Sequence, residues 1–288
     1  MPHHRPLTIE VCIDSVESAI AAVKGGADRL ELCSNLGLGG GTTPSLGLFK
    51  AIRRVVSGVP IMVMIRLRTG DFLYSESELE VMLEDIRVFK AAGATGVVFG
   101  VLTKEGNVDV HRTRRLVNEA IPMQVCFHRA FDMTREPIVD ERDNYTFPQS
   151  VKDIASISGV TRILTSARVP KAPLTMPAFR GLLQHAWSLK GGRELPLVIL
   201  PGSGINSTTV GPLVQELLPY GLEEIHLSAG GWVASAMEYR HEGMGMGVGG
   251  EGEWGIWRTN KETVREVRAI VDSIQRQFQQ SQVESGCA

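Results

Sequence analysis

Gly26-Ala27-Asp28-Arg29-Leu30-Glu31-Leu32-Cys33 is the stretch that decides the fold. Its glycine suits the C-terminal cap of a helix, where a left-handed backbone is wanted, and the residues after it alternate like a strand. The same helix-exit-then-strand phrase returns at Gly93-Ala94-Thr95-Gly96-Val97, Gly159-Val160-Thr161-Arg162-Ile163 and Gly221-Leu222-Glu223-Glu224-Ile225, with glycines 67, 66 and 62 residues apart. Halfway between them a proline introduces another apolar run: Pro6 before Leu7–Val11, Pro60 before Ile61–Ile65, Pro122 before Met123–Phe127 and Pro196 before Leu197–Leu200. Strands spaced about 30 residues apart are βα units. Eight of them predict an α/β protein, a (β/α)8 TIM barrel formed as one domain over residues 1–288. A doubly wound open sheet is the rival, but no G-x-G-x-x-G follows the first strand.

The intervening stretches carry helix signals. Asp14-x-x-Glu17, Ser75-x-x-Glu78 and Thr259-x-x-Glu262 are capping boxes or close variants, and Thr43-Pro44 sets a cap before a first-turn proline. Val264, Val267, Ile270, Val271, Ile274 and Phe278 form the apolar stripe of a last helix. Two segments depart from the pattern: a polar insert at 140–148 and a long Gly-rich loop at about 230–258. Six glycines within Gly243–Gly252 predict a mobile lid over the barrel mouth, its ends anchored by Trp232, Trp254 and Trp257.

The chain has 288 residues, 43% hydrophobic and 22% charged, with a formal net charge of −2. That balance excludes a nucleic-acid surface and a polybasic membrane patch. No apolar run approaches the roughly 20 residues of a membrane span, and none follows Met1 at signal-peptide length. Cys12, Cys33, Cys126 and Cys287 then read as reduced intracellular thiols, and the expected location is cytoplasmic. A homo-oligomeric partner is compatible with all of this.

Barrel active sites lie at the C-terminal ends of strands. Here those ends carry Cys12 with Asp14, Cys33 with Asn35, Arg66 with Arg68, His128-Arg129 with Asp132, Gly202-Ser203-Gly204, and His226 with Ser228. Val11, Leu30, Leu32, Ile65, Phe127 and Ile225 form one apolar alternation phase that should pack against helices. The other phase, with Glu10, Cys12, Glu31, Cys33, Arg66 and His128, should face the lumen, where its charges need Glu–Arg and Glu–His pairing. If the first two strands are neighbours, the Cys12 and Cys33 thiols would lie roughly one strand spacing, 4.8 Å, apart.

Glu10-Val11-Cys12-Ile13-Asp14-Ser15-Val16-Glu17, Gly25–Ser34, Asp71-Phe72-Leu73-Tyr74-Ser75, Phe127-His128-Arg129-Ala130-Phe131-Asp132-Met133 and Leu164-Thr165-Ser166 resemble the CutC copper-homeostasis family. The resemblance spans roughly residues 7 to 232 and the last helix. It implies a TIM barrel that handles cytosolic copper, with Cys12 and Cys33 matching the thiols suggested as Cu(I) ligands. The chain departs from the family at Arg66-Leu67-Arg68-Thr69-Gly70, at Pro201-Gly202-Ser203-Gly204 and at Ser228-Ala229-Gly230-Gly231, which lacks an Arg after Ser-Ala.

Two functional readings stay open. In the first, Cys12 and Cys33 bind copper as Cu(I), a soft ion suited to sulfur, and Cys126 and His128 on one face could supply a further ligand. The plain alternative is two small buried core thiols. His241-Glu242-Gly243-Met244-Gly245-Met246 mixes soft-metal donors but also reads as a flexible linker. In the second reading the protein is an enzyme acting on a small phosphorylated or anionic metabolite. Gly202, Ser203, Gly204, Ser228 and Gly230 would then cradle the anion, and Arg66, His128, Asp132 and Glu10 would serve as clamp, acid and base. The plain alternative there is a lumen salt-bridge network. No Lys falls at a strand end, which argues against Schiff-base chemistry.

Overall fold

The structure, a computed structural model, describes residues 6–135, 149–189 and 197–286. The polar insert at 140–148, Pro196 and Cys287 lie outside the described residues. Strands and helices alternate: β1 (Thr8–Ile13), α1 (Val16–Gly25), β2 (Arg29–Leu32), α2 (Leu46–Val55), β3 (Ile61–Met64), α3 (Glu76–Ala91), β4 (Gly96–Phe99) and α4 (Val110–Ala120). The second half runs β5 (Gln124–Phe127), α5 (Gln149–Ala155), β6 (Val160–Thr165), α6 (Met176–Ser188), β7 (Val198–Pro201), α7 (Val210–Leu217) and β8 (Glu224–Leu227). An antiparallel hairpin, β9 (Gly230–Val233) and β10 (Ile256–Thr259), precedes α8 (Lys261–Gly286). The first eight strands pair in the order β7-β6-β5-β4-β3-β2-β1-β8, all parallel, and β7 packs beside β8. This is a (β/α)8 TIM barrel.

The four repeated glycines explain why the phrase recurs. Gly26, Gly93, Gly159 and Gly221 all have positive φ, from 83° to 104°, a backbone that a side chain would strain. Each therefore ends a helical segment and re-aims the chain into a strand. Helix starts match the sequence less closely. Ser75 and Glu78 form the full capping box of α3. In α1 the cap is Ser15, not Asp14, whose carboxylate instead accepts from the Leu36 amide. Ser45 caps α2 and Asn260 caps α8, each one or two residues beyond the Thr read as the cap. Several neighbouring Ser, Thr, Asp or Asn residues compete for one orphan amide, and tertiary contacts choose among them.

The alternation holds around the barrel. Val11, Leu30, Leu32, Ile65, Phe127 and Ile225 join helix residues such as Phe49, Leu116 and Val267 in the layer outside the sheet. A second, smaller cluster of Cys33, Met62, Met64, Val98, Cys126, Leu164 and Leu200 fills the lumen.

The segment read as a mobile lid folds on itself. Gly247 and Val248 amides donate to Glu253 and Gly252 carbonyls, and the Trp232 ring lies against Gly37, Gly252 and Gly255. Trp232 and Trp257 meet edge to face at 5.3 Å. Glycine at 37, 252 and 255 thus makes room for one indole, while a Cβ at Gly243, Gly249 or Gly250 would meet nothing within 4 Å.

Candidate metal centre in the barrel lumen

The lower lumen is an ion-pair ladder assembled from strands that alternation brings to one face. Arg29 of β2 bridges Glu10 of β1 and Glu224 of β8, and Arg162 of β6 closes on Glu224 at 2.8 Å. Glu10 in turn accepts from Nδ1 of His226 at 2.7 Å. Burial opposes ionisation of Glu10, but Arg29 and His226 outweigh it and bring the carboxyl down to about 2. The expected Glu–Arg and Glu–His pairing is therefore present. Arg29, Arg162 and Glu224 complete that pairing beyond the residues expected from alternation. The signal was available for Arg29, which shares the phase of Glu31 and Cys33.

Above that ladder sits a compact donor cluster. Cys12 is level with Glu31 across the β1–β2 pair, and His226 is level with Glu10 across β8–β1. One ligand-type atom each from Cys12, Glu31 and His226 lie within 4.8 Å of one another, and all three residues are buried. His226 Nε2 stands 3.8 Å from Glu31 Oε2. Cys33 lies two residues beyond Glu31 and donates its thiol to Glu31 Oε2 at 3.5 Å. The two cysteines are thus not level, as a simple one-spacing picture supposes. The register sets Cys12 against Glu31, and Glu31 lies between Cys12 and Cys33 along the sheet.

Electrostatics couple these groups. Burial pushes the Cys12 thiol up, with the His226 charge offsetting part of the effect. Burial and the facing Glu31 push Cys33 well above the usual thiol range. Burial alone would lower His226, yet Glu31 and Cys12 raise it well above an ordinary imidazole. Burial also raises Glu31, whose Oε1 has no hydrogen-bond partner among the described residues. Cys12, Cys33 and Cys126 are free thiols.

The residues read as an anion site gather higher, at the mouth. Arg66 donates to the carbonyls of Gly41 and Gly70 and stacks over Phe72 at 5.0 Å. Phe72 meets the His128 ring edge to face at 4.9 Å. Burial, with Arg66 adding, lowers His128 to about 3, so it is a neutral imidazole. Arg66 Nε and His128 Nε2 are buried without partners among the described residues. Arg68 pairs with Glu78 and Asp71, and Arg129 pairs with Asp132. The Asp132 carboxylate also accepts from Thr165, Ser166 and the Arg168 amide, so it ties down the loop after β6. Ser203 and Gly204 both have positive φ, and Lys171 packs over Gly204. The Trp257 indole lies on Gly230, and Ser228 is half-buried beside it in sequence at the exit of β8.

A TIM barrel with thiols, an imidazole and carboxylates at its strand ends belongs to the class of lumen-site α/β barrels. The CutC family profile matches residues 7–231, and the chain belongs to the CutC family. It is 41% identical to a protein described as CutC from Chromobacterium violaceum, over 92% of this chain and 98% of that one. It is 38% identical to the human copper homeostasis protein cutC homolog, over 92% of this chain and 89% of that one. A crystal structure of CutC from Streptococcus agalactiae superposes with a TM-score of 0.65 at 26% identity, covering 77% of this chain and 98% of that one. No helix among the described residues is long and apolar enough to cross a membrane.

Proposed function

We propose that this protein serves copper homeostasis in the cytosol by holding Cu(I) in the barrel lumen, with the Cys12 and Cys33 thiolates as ligands. The observation that carries this reading is the sulfur content of one buried space: Cys33, Cys126, Met62 and Met64 pack in a single lumen cluster. Cys12 adjoins it through Glu31. Thiolate and thioether sulfur suit Cu(I) above other available ions. Burial disfavours both thiolates until a cation arrives, so metal binding would replace the thiol protons directly. Copper here is cargo. A buried, sulfur-lined seat protects it from water. The test is Cu(I) titration against a competing thiol, with about one ion per chain expected by this chemistry. The Cys12→Ser/Cys33→Ser double variant should lose that ion. Equal copper in the double variant would place the site elsewhere.

A second reading rests on the unpartnered Arg66 Nε and His128 Nε2 on either side of Phe72. In it the mouth binds a small anionic metabolite between Arg66 and the loops at Gly202, Ser203, Gly204, Ser228 and Gly230, with His128 as the proton-transfer group. Glu10 and Asp132 would support the site as fixed carboxylates, since their lone pairs are already engaged. A thermal-shift screen with inorganic phosphate and sugar phosphates tests it. Stabilisation that vanishes in Arg66→Ala supports the enzyme reading, and none in the wild type removes it.

A further inference from the structure

The donor set around Cys12 differs in kind from a pair of thiolates. It offers one sulfur, one imidazole nitrogen and one carboxylate oxygen, all buried and mutually within 4.8 Å. Sulfur, nitrogen and oxygen in a three-ligand cluster suit a borderline divalent ion of the zinc class, which commonly keeps a fourth position open. Bonds of about 2.0–2.3 Å put tetrahedral ligand atoms roughly 3.3–3.8 Å apart, and His226 Nε2 and Glu31 Oε2 already stand at 3.8 Å. Small side-chain rotations bring in the rest.

Two further features point the same way. Glu10 holds His226 through Nδ1 at 2.7 Å, leaving Nε2 toward Glu31. A carboxylate behind a ligating imidazole is the usual way in which proteins orient a metal-binding histidine. Glu31 Oε1 is buried and unpartnered among the described residues, a polar atom without an interaction that a cation would supply.

Charge balance also favours a divalent ion. Within the ladder Arg29 and Arg162 match Glu10 and Glu224. That leaves Glu31 as the remaining carboxylate. A 2+ ion with Glu31, a Cys12 thiolate and a neutral His226 makes the buried centre neutral, as a low-dielectric site requires. Cu(I) on the same three ligands would leave it one charge short.

We infer that Cys12, His226 and Glu31 form a divalent metal site of the zinc class, with Glu10 orienting His226 and Cys33 outside the ligand set, holding Glu31 by its thiol. This deepens the lumen-metal reading above and shares Cys12 with it. The two ions therefore compete for one side chain.

Zn2+ affinity is measured by chelator competition on the full-length chain, and Co2+ serves as a spectroscopic probe of the same site. The wild type should bind one Zn2+ and, with Co2+, show a charge-transfer band of single-thiolate intensity. His226→Gln and Cys12→Ser should weaken Zn2+ binding by at least tenfold, with circular dichroism confirming that each variant is folded. Added Cu(I) should erase the Co2+ band. If a variant does not fold, the wild-type Co2+ spectrum decides. The absence of a thiolate band, or the intensity of two thiolates, overturns the inference, as does wild-type Zn2+ affinity in folded His226→Gln. Cu(I) binding without Zn2+ binding sinks this site alone, whereas Zn2+ binding without Cu(I) binding sinks the copper reading.

Discussion

Arg29 shows what a single buried charge commits the barrel to. Its guanidinium joins Glu10 and Glu224, both of them buried in the lumen. Arg29→Met leaves Glu10 with His226 and Glu224 with Arg162 but removes the cation that both acids share, so urea unfolding should show a loss of about 3 kcal/mol. A loss below 1 kcal/mol would mean that water or Arg162 compensates. His128 supplies a pH signature. Its pKa lies near 3 in the folded chain against 6.5 for the free side chain. The unfolded state thus binds the extra proton between those values, and the stability contribution is full above 6.5 and lost as pH falls toward 3. Between pH 7 and pH 5 the wild type should lose about 2 kcal/mol more than His128→Leu. Parallel pH profiles would show that His128 is not buried as a neutral ring. Strand alternation alone placed Glu10, Cys12, Glu31 and Cys33 in the lumen. It did not set Cys12 level with Glu31, because that depends on the stagger between strands, which a period of two leaves open.

Among the elements, the helix exits were the most legible and the helix entries the least. A left-handed cap has few residues that fit it, so glycine marks Gly26, Gly93, Gly159 and Gly221 plainly. An N-cap accepts Ser, Thr, Asp or Asn, and Asp14-Ser15 or Thr43-Pro44-Ser45 offers several at once. Where the box is complete, at Ser75 and Glu78, Ser75→Ala should cost about 1 kcal/mol in urea unfolding. No measurable change would assign the start of α3 to packing alone. The hairpin β9–β10 closes the base of the Gly-rich segment through Trp232 and Trp257. Counting glycines predicts freedom for Gly243–Gly252, whereas Gly230, Gly252 and Gly255 meet tryptophan rings that sequence spacing cannot bring together. Gly230→Ala would drive a Cβ into the Trp257 indole and should destabilise the fold by about 1–3 kcal/mol, with a red-shifted tryptophan emission. Unchanged emission would show that β9 and β10 slide apart freely.

At the scale of the whole molecule, the fold fixes one axis along which chemistry is ordered. Ion pairs close the lower lumen, sulfur and the Cys12–Glu31–His226 cluster occupy its middle, and Arg66 with His128 stands at the mouth. The barrel itself was readable because eight repeats of one βα unit leave few closed architectures. The depth of each group was not, since it follows from strand tilt and stagger around the ring. Under the proposed function this lumen seats Cu(I) on sulfur. X-ray absorption at the copper edge of the Cu(I)-loaded protein reads that shell. The expected result is a first shell dominated by sulfur that is lost in the Cys12→Ser/Cys33→Ser variant. A shell of nitrogen and oxygen alone, or the same sulfur shell in that variant, would contradict it.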